Sequence, residues 1–229
     1  MHSDTEVVRI APAGDAALVV EFPSRIDPEI NGRAVALAHA LRANWEAILR
    51  DVVVAYCTLT VYFDPVHVDG RWLESELARL SAWPEAAEAP SGRLLRVPVC
   101  YQGDFAPDID EVAAFGACSI GDVIALHTAR EYRVYMLGFL PGFAYMAEVD
   151  PRIAAPRRAT PRTSVPTGAV AIAGGQTGIY PTETPGGWNI IGRTPVRPFD
   201  RTRTEAFLFR TADRVEFVPI SRNELERMR

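Results

Sequence analysis

The tightest constraint on the fold is where glycine and proline fall. Residues 138–198 hold 18 of the 34 glycines and prolines in this 229-residue chain. A helix cannot persist through that density, because proline removes a donor and clashes with the preceding turn, and glycine adds backbone entropy. What survives between the interruptions are short β-prone runs: "EYRVYMLGF" (131–139), "AVAIAGG" (169–175) and "WNIIG" (188–192). "EAFLFRTADRVEFVPI" (205–220) reads as a further hairpin turning near Ala212-Asp213. Many short strands between tight turns point to a barrel or sandwich.

The first part of the chain reads differently. Two apolar runs within residues 7–22 flank Gly14-Asp15. A helix follows, with Asp27 as N-cap, Pro28 at its first position, and Ile30, Ala34, Leu37 and Leu41 on one face. "VVVAYCTLTVYF" (52–63) reads as one strand, and "GRWLESELARLSAW" as a second helix with Trp72 or Leu73, Leu77 and Leu80 inward. This β-β-α-β-α order, closed by "RLLRVPVCY", predicts an α+β unit of ferredoxin-like type. "PEAAEAPSG" (84–92) is the candidate linker. The predicted domains are residues 1–88 and 89–229. Two helices are expected after the linker, over 107–117 and 119–128, the second opened by a Ser119/Asp122 capping box. A short helix capped by Ser221 and Glu224 is expected near the C-terminus.

Several function classes are disfavoured. The chain has 24 basic side chains, all arginine, and no lysine. Without lysine there is no Schiff-base amine, no Walker A loop and no attachment point for biotin. HExxH, GxSxG and GxGxxG are absent as well. A net charge of −5 gives no sign of a nucleic-acid partner. No window reaches the ~20 apolar residues of a membrane helix, and no secretory signal is evident, so a soluble cytoplasmic protein is expected. The cysteines, Cys57, Cys100 and Cys118, are widely spaced and suggest neither a zinc site nor a disulfide framework. No metal site is expected.

Polar chemistry concentrates in the glycine- and proline-rich half. Between Arg152 and Arg203 lie eight arginines against two acids, Glu183 and Asp200. That surplus reads either as an anion site, or as arginines that face water or pair with acids elsewhere in the chain. The expected substrate-binding residues are Arg157, Arg158, Arg162, Gln176, Tyr180, Thr182 and Arg193. His127 and Glu183 are the candidate proton carriers. "GFLPGFAYM" (138–146) reads either as an apolar corner sealing the barrel or as the wall of a pocket or interface.

"EYRVYMLGFLPGFAYM", "PRRATPRTSVPTGAVAIAGGQTGIYPTETPGGWNIIGRTP" and "DRVEFVPI" resemble the KipI family, whose members are also called allophanate hydrolase subunit 1 or the 5-oxoprolinase B subunit (PxpB). "GDAALVVEF" and "VPVCY" extend the likeness along most of the chain. In "CYQGDFAPDI", Gln102 and Ala106 stand where the family commonly has glycine. The resemblance implies a small α+β domain followed by a cyclophilin-like β-barrel, similar to half of the urea carboxylase carboxyltransferase domain. It implies a KipA-type (PxpC) partner and a LamB/YcsF-type (PxpA) partner. Together they would open 5-oxoproline to glutamate with ATP, which no motif in this chain would bind. The alternatives it implies are inhibition of a sensor histidine kinase, or a subunit role in urea or allophanate breakdown.

Overall fold

The computed structural model describes residues 8–81 and 92–228, so most of the expected linker lies outside the described residues. The chain divides into two compact units, residues 1–91 and 92–229.

In the first unit, β1 (Arg9–Pro12) and β2 (Ala17–Glu21) form a hairpin, followed by α1 (Pro28–Trp45). Asp27 caps α1 as expected, accepting from the N–H groups of Glu29 and Ile30, and Ile30, Ala34, Leu37 and Leu41 are buried. The run 52–63 is two strands rather than one: β3 (Leu49–Val54) and β4 (Thr58–Phe63) pair antiparallel. Composition could not show this break, because its cause is distant. The buried Asn31 side chain donates to the carbonyls of Ala55 and Tyr56 at 3.0 and 3.3 Å, which satisfies the turn between the strands. α2 (Gly70–Ser81) completes the unit with Leu73 and Leu77 buried and Trp72 exposed. The sheet order is β1-β2-β4-β3, antiparallel throughout.

The strand expected to close this sheet belongs to the second unit. There β5 (Leu94–Val99) leads to α3 (Ile109–Phe115), α4 (Ile120–Thr128), β6 (Glu131–Leu137) and β7 (Ala144–Ala147). Then come β8 (Arg162–Val165), β9 (Ala169–Ala173), β10 (Gln176–Ile179), β11 (Thr184–Gly186), β12 (Asn189–Arg193), β13 (Arg214–Pro219) and α5 (Arg222–Arg227). Seven strands form one sheet in the order β12-β9-β10-β7-β6-β13-β5; β8 and β11 form a small separate ribbon. β5 runs parallel to β13, and the other neighbours are antiparallel.

The two edges of the large sheet nearly close into a barrel. Cys100, just after β5, exchanges backbone hydrogen bonds of 2.8 and 2.9 Å with Arg193 at the end of β12. Glycine is needed beside that seam: a Cβ on Gly192 would stand 2.6 Å from Val99 Cγ1. Val134, Met146, Val170, Ile172, Ile191, Val215 and Phe217 fill the core, with Val112 of α3 and Val123 of α4 in the same cluster.

The expected 205–220 hairpin does not form; only its second half is a strand. The buried Asp213 carboxylate accepts from the backbone N–H groups of Arg210 (2.9 Å) and Arg93 (3.0 Å) and from the Arg93 guanidinium (2.6 Å). This knot ends the preceding loop and feeds β13 between β5 and β6, while Leu208 bonds back to Pro198. Both capping boxes, Ser119/Asp122 and Ser221/Glu224, are present.

Candidate functional site

The arginine surplus has two different outcomes. Asp108, 1% exposed and immediately before α3, gathers two of the expected anion-binding residues. Arg162 holds it with two bonds, of 2.6 and 2.7 Å, and Arg158 with one of 2.6 Å. Arg158 also reaches Glu111 at 2.8 Å. The Ile190 N–H donates to the same Asp108 carboxylate at 2.7 Å. The hydrogen bond to Asp108 raises the Arg162 pKa above its ordinary value. Arg158 and Arg162 are thus engaged by an internal anion fifty or more positions earlier in the chain, and the node fixes the 156–162 loop against β12.

Arg157, next door, faces the other way. It is exposed and lines a cleft of about 390 Å³ with Tyr145, Pro156, Ala173, Gly174, Gln176 and Trp188. Gln176 opens β10 at the cleft edge. Tyr145 and Trp188 form its apolar wall, backed by Phe143, whose ring meets Tyr145, Tyr180 and Trp188 at 4.8, 5.3 and 5.4 Å. These edge-to-face contacts make the wall rigid. The "GFLPGFAYM" corner therefore serves both of its expected purposes: Phe143 is buried and Tyr145 lines the pocket, while Phe139 stays 61% exposed. Burial raises the Tyr145 pKa, and Arg157 partly offsets this.

Tyr180 is placed behind the cleft. It is 2% exposed, its pKa is raised by burial, and the Trp188 backbone hydrogen-bonds it. Thr182 is exposed in the loop between β10 and β11 and lines neither this cleft nor the next. Glu183 and Arg193 meet in a second cleft, of about 440 Å³, together with Thr167, Thr194 and Arg197. Glu183 accepts from Ser164 Oγ at 2.7 Å, and Arg193 Nη1 donates to the Thr167 carbonyl at 2.9 Å. Gln176 and Arg157 are thus brought together in one cleft, and Glu183 and Arg193 in another.

His127 reaches neither cleft. It is fully buried, and desolvation lowers its pKa to about 3, so it is a neutral imidazole near pH 7. It stacks on Phe217 with ring centroids 4.5 Å apart and hydrogen-bonds Tyr101 and Thr177. A proton carrier must be reachable by solvent or substrate, and this ring is 0% exposed and lines neither cleft. Among the described residues, no three His, Cys, Asp or Glu side chains are grouped to hold a metal ion, and no helix is long and apolar enough to cross a membrane.

Asp108 and Trp188 did not emerge as functional residues from sequence reasoning, whereas Tyr145 lay in the segment read as a possible pocket wall. One signal was available for Asp108: eight arginines with two local acids need counter-charges from elsewhere, and residues 108–111 read Asp-Ile-Asp-Glu. Trp188 had none, because it lies 43 positions from Tyr145 and meets it only through pairing of the barrel strands.

Comparison with known proteins places this architecture. The family described as carboxyltransferase domain, subdomain C and D, matches residues 8–209, and the chain belongs to that family. Within it, the chain is similar to the Bacillus subtilis (strain 168) protein named as the 5-oxoprolinase B subunit: 38% identity over 230 residues, spanning 94% of each chain. The Haemophilus influenzae protein of the same name is 35% identical over 92% of this chain and 97% of its own. Among solved structures, TTHA0988 superposes with a TM-score of 0.79 at 39% identity, covering 94% of this chain. The chain spans about two fifths of that protein's length, 40%. The K. lactis urea amidolyase shares the fold, with a TM-score of 0.80 at 22% identity over 98% of this chain and 16% of its own.

Proposed function

We propose that this chain is the B subunit of a cytoplasmic, ATP-dependent 5-oxoprolinase. It would act with a KipA-type (PxpC) and a LamB/YcsF-type (PxpA) subunit to open 5-oxoproline to L-glutamate. The observation that carries the reading is similarity, along nearly the whole length of both chains, to proteins named as the 5-oxoprolinase B subunit. The Arg157 cleft is compatible with it. 5-Oxoproline is a small, nearly flat ring carrying one carboxylate and one amide. A guanidinium suits the carboxylate, a glutamine side chain can both donate to and accept from a lactam amide, and an apolar wall of two aromatic rings can pack against one side of a flat ring. Arg157 would anchor the carboxylate, Gln176 would orient the amide, and Tyr145 and Trp188 would exclude water.

ATP is assigned to one of the partners. The glycine-rich turn offers no open phosphate cradle at its first position, since the Gly174 N–H already donates to the Ala155 carbonyl at 2.7 Å. Arg193 and Glu183 belong in this reading to the rim facing a partner. The second unit's closing barrel sheet supports a cyclophilin-like description, and the first unit keeps the α+β description, with its own strand order. Reconstitution of the three subunits, with glutamate release from 5-oxoproline and ATP as the readout, tests the proposal. Absence of release from the full set, under conditions where a related complex is active, overturns it.

One observation favours a second reading. Phe139 is a bulky residue at φ +67° with 61% exposure, on a turn seated over the aromatic cluster. A large side chain held outward in a conformation it rarely adopts suits a protein contact such as a sensor histidine kinase. Loss of kinase autophosphorylation on adding the purified chain, reversed by Phe139→Ser, would support that role.

A further inference from the structure

We infer that His127 is a positioning residue for the Arg157 cleft: as the neutral Nε2–H tautomer it fixes Thr177, and through Thr177 the β9–β10 hairpin that carries Gln176 and Gly174. The tautomer follows from counting protons. Thr177 Oγ1 lies 3.0 Å from the Ala171 carbonyl, which can only accept, so the hydroxyl donates there. The same oxygen lies 3.0 Å from His127 Nε2 and has no second proton, so Nε2 donates to it. Nδ1 is then unprotonated and accepts from the Tyr101 hydroxyl at 2.8 Å. The result is one directed chain of hydrogen bonds, from Tyr101 through His127 and Thr177 to Ala171, with every proton placed.

These bonds join parts of the barrel far apart in sequence. His127 lies near the end of α4, Tyr101 follows β5, and Thr177 and Ala171 sit on β10 and β9. Gln176 and Gly174 lie within the three residues before Thr177 and line the cleft. The opposite side of the cleft, at Arg157, is fixed by the Asp108 node. The cleft is therefore held from two sides, by an ionic clamp and by a neutral one.

The titratable groups facing His127 are Tyr101 and Tyr132, both held neutral by burial; Phe217 covers its face. Arg130 and Asp150 act on Tyr132 rather than on the imidazole. With no counter-ion in contact, a second proton on Nδ1 would face the Tyr101 hydroxyl, which would have to turn and give up its donor role. The bonds are therefore intact only while His127 is neutral. The positioning role depends on the proposed reaction only for its consequence in catalysis. Its test reads the tautomer and the hairpin directly, so either can fail while the other stands.

The test is ¹⁵N NMR of the histidine-labelled full chain, with the His127 signals identified by their loss in His127→Gln. The expected result is a protonated Nε2, an unprotonated Nδ1 and no titration between pH 7.5 and 5. An Nδ1–H tautomer, or a midpoint near the ordinary histidine value, overturns the inference. Amide exchange gives the second readout. Gln can mimic both hydrogen bonds, whereas Phe keeps only the stacking. Exchange over residues 172–178 should rise about tenfold in His127→Phe, as expected for losing the one of its two hydrogen bonds that reaches the hairpin, and stay near wild type in His127→Gln, with the first unit unchanged in both. An equal rise in both variants, or one spread over the whole chain, overturns it. If the Phe variant does not fold, the tautomer of the native chain decides alone.

Discussion

Arg157 and Arg158 are consecutive in the chain and end in opposite environments. Arg158 turns inward to Asp108, where two guanidiniums and one backbone N–H surround a carboxylate that is 1% exposed. Arg157 turns outward over a cleft with aromatic walls. The difference shows that local charge counts the arginines but does not sort them. The presence or absence of an internal acid decides which ones hold the fold and which ones can hold a ligand. The two regions should therefore respond to mutation in different observables, the Asp108 node in stability and the cleft in catalysis.

The largest effect should come from Asp108→Ala. It leaves two partly buried guanidiniums without their main counter-charge and the Ile190 N–H without that acceptor. Breaking a buried pair from one side typically costs about 3–5 kcal/mol. Denaturant unfolding of the purified chain should show a loss of that order. A loss under about 1 kcal/mol would mean that the arginines are solvated in the folded state and the node does not hold the loop.

Arg157→Ala should leave unfolding unchanged and lower kcat/KM for 5-oxoproline in the reconstituted complex by about 10–100-fold, the range for losing a hydrogen bond to a charged group. Arg157→Lys should recover only part of this, since lysine lacks the planar fork. A full-rate Arg157→Ala complex would remove the cleft from the reaction and dissolve the contrast with Arg158.

Much of the scaffold was legible because its causes are local. Asp27, Ser119 and Ser221 start their helices through groups two or three residues away, and glycine and proline mark the strand ends. What was missed has distant causes. Asn31 breaks the 52–63 run from 24 positions away, and Asp213 redirects the 205–220 segment using Arg93, 120 positions earlier. The site divides along the same line. The sequence placed Arg157 and Gln176 among the candidates, but Asp108 and the Tyr145–Trp188 wall exist only once the barrel brings them together. His127 drew notice as a titratable group near a helix end. Its burial depends on Tyr101, Tyr132 and Phe217, contributed by three other segments.

The neutral clamp at His127 should differ from the ionic one in its response to pH. Its folded-state pKa is depressed, from 6.5 to about 3. The imidazole therefore contributes full stability above pH 6.5, and the contribution is lost as pH falls toward the folded value, because only the unfolded chain gains the proton. Between pH 6.5 and 5.5 the loss should be about 1 kcal/mol. His127→Gln should flatten that segment of the stability profile; an unchanged slope would assign the pH dependence to other groups.

The smallest expected effect is at Glu183, and it decides whether the two clefts differ in kind. Glu183 is exposed and bonds only one hydroxyl, that of Ser164, at 2.7 Å among the described contacts. If chemistry is confined to the Arg157 cleft, Glu183→Gln should change kcat/KM by no more than about twofold, the scale of an exposed polar contact. A drop of about a hundredfold or more with KM unchanged would show that the carboxylate acts in the transition state. The reaction centre would then move to the second cleft with Arg193 and Arg197, and Arg157 would become a binding group remote from the bond that breaks. Measuring Arg157→Ala and Glu183→Gln in the same reconstituted complex separates these outcomes, because Glu183→Gln loses kcat only if the second cleft holds the bond that breaks.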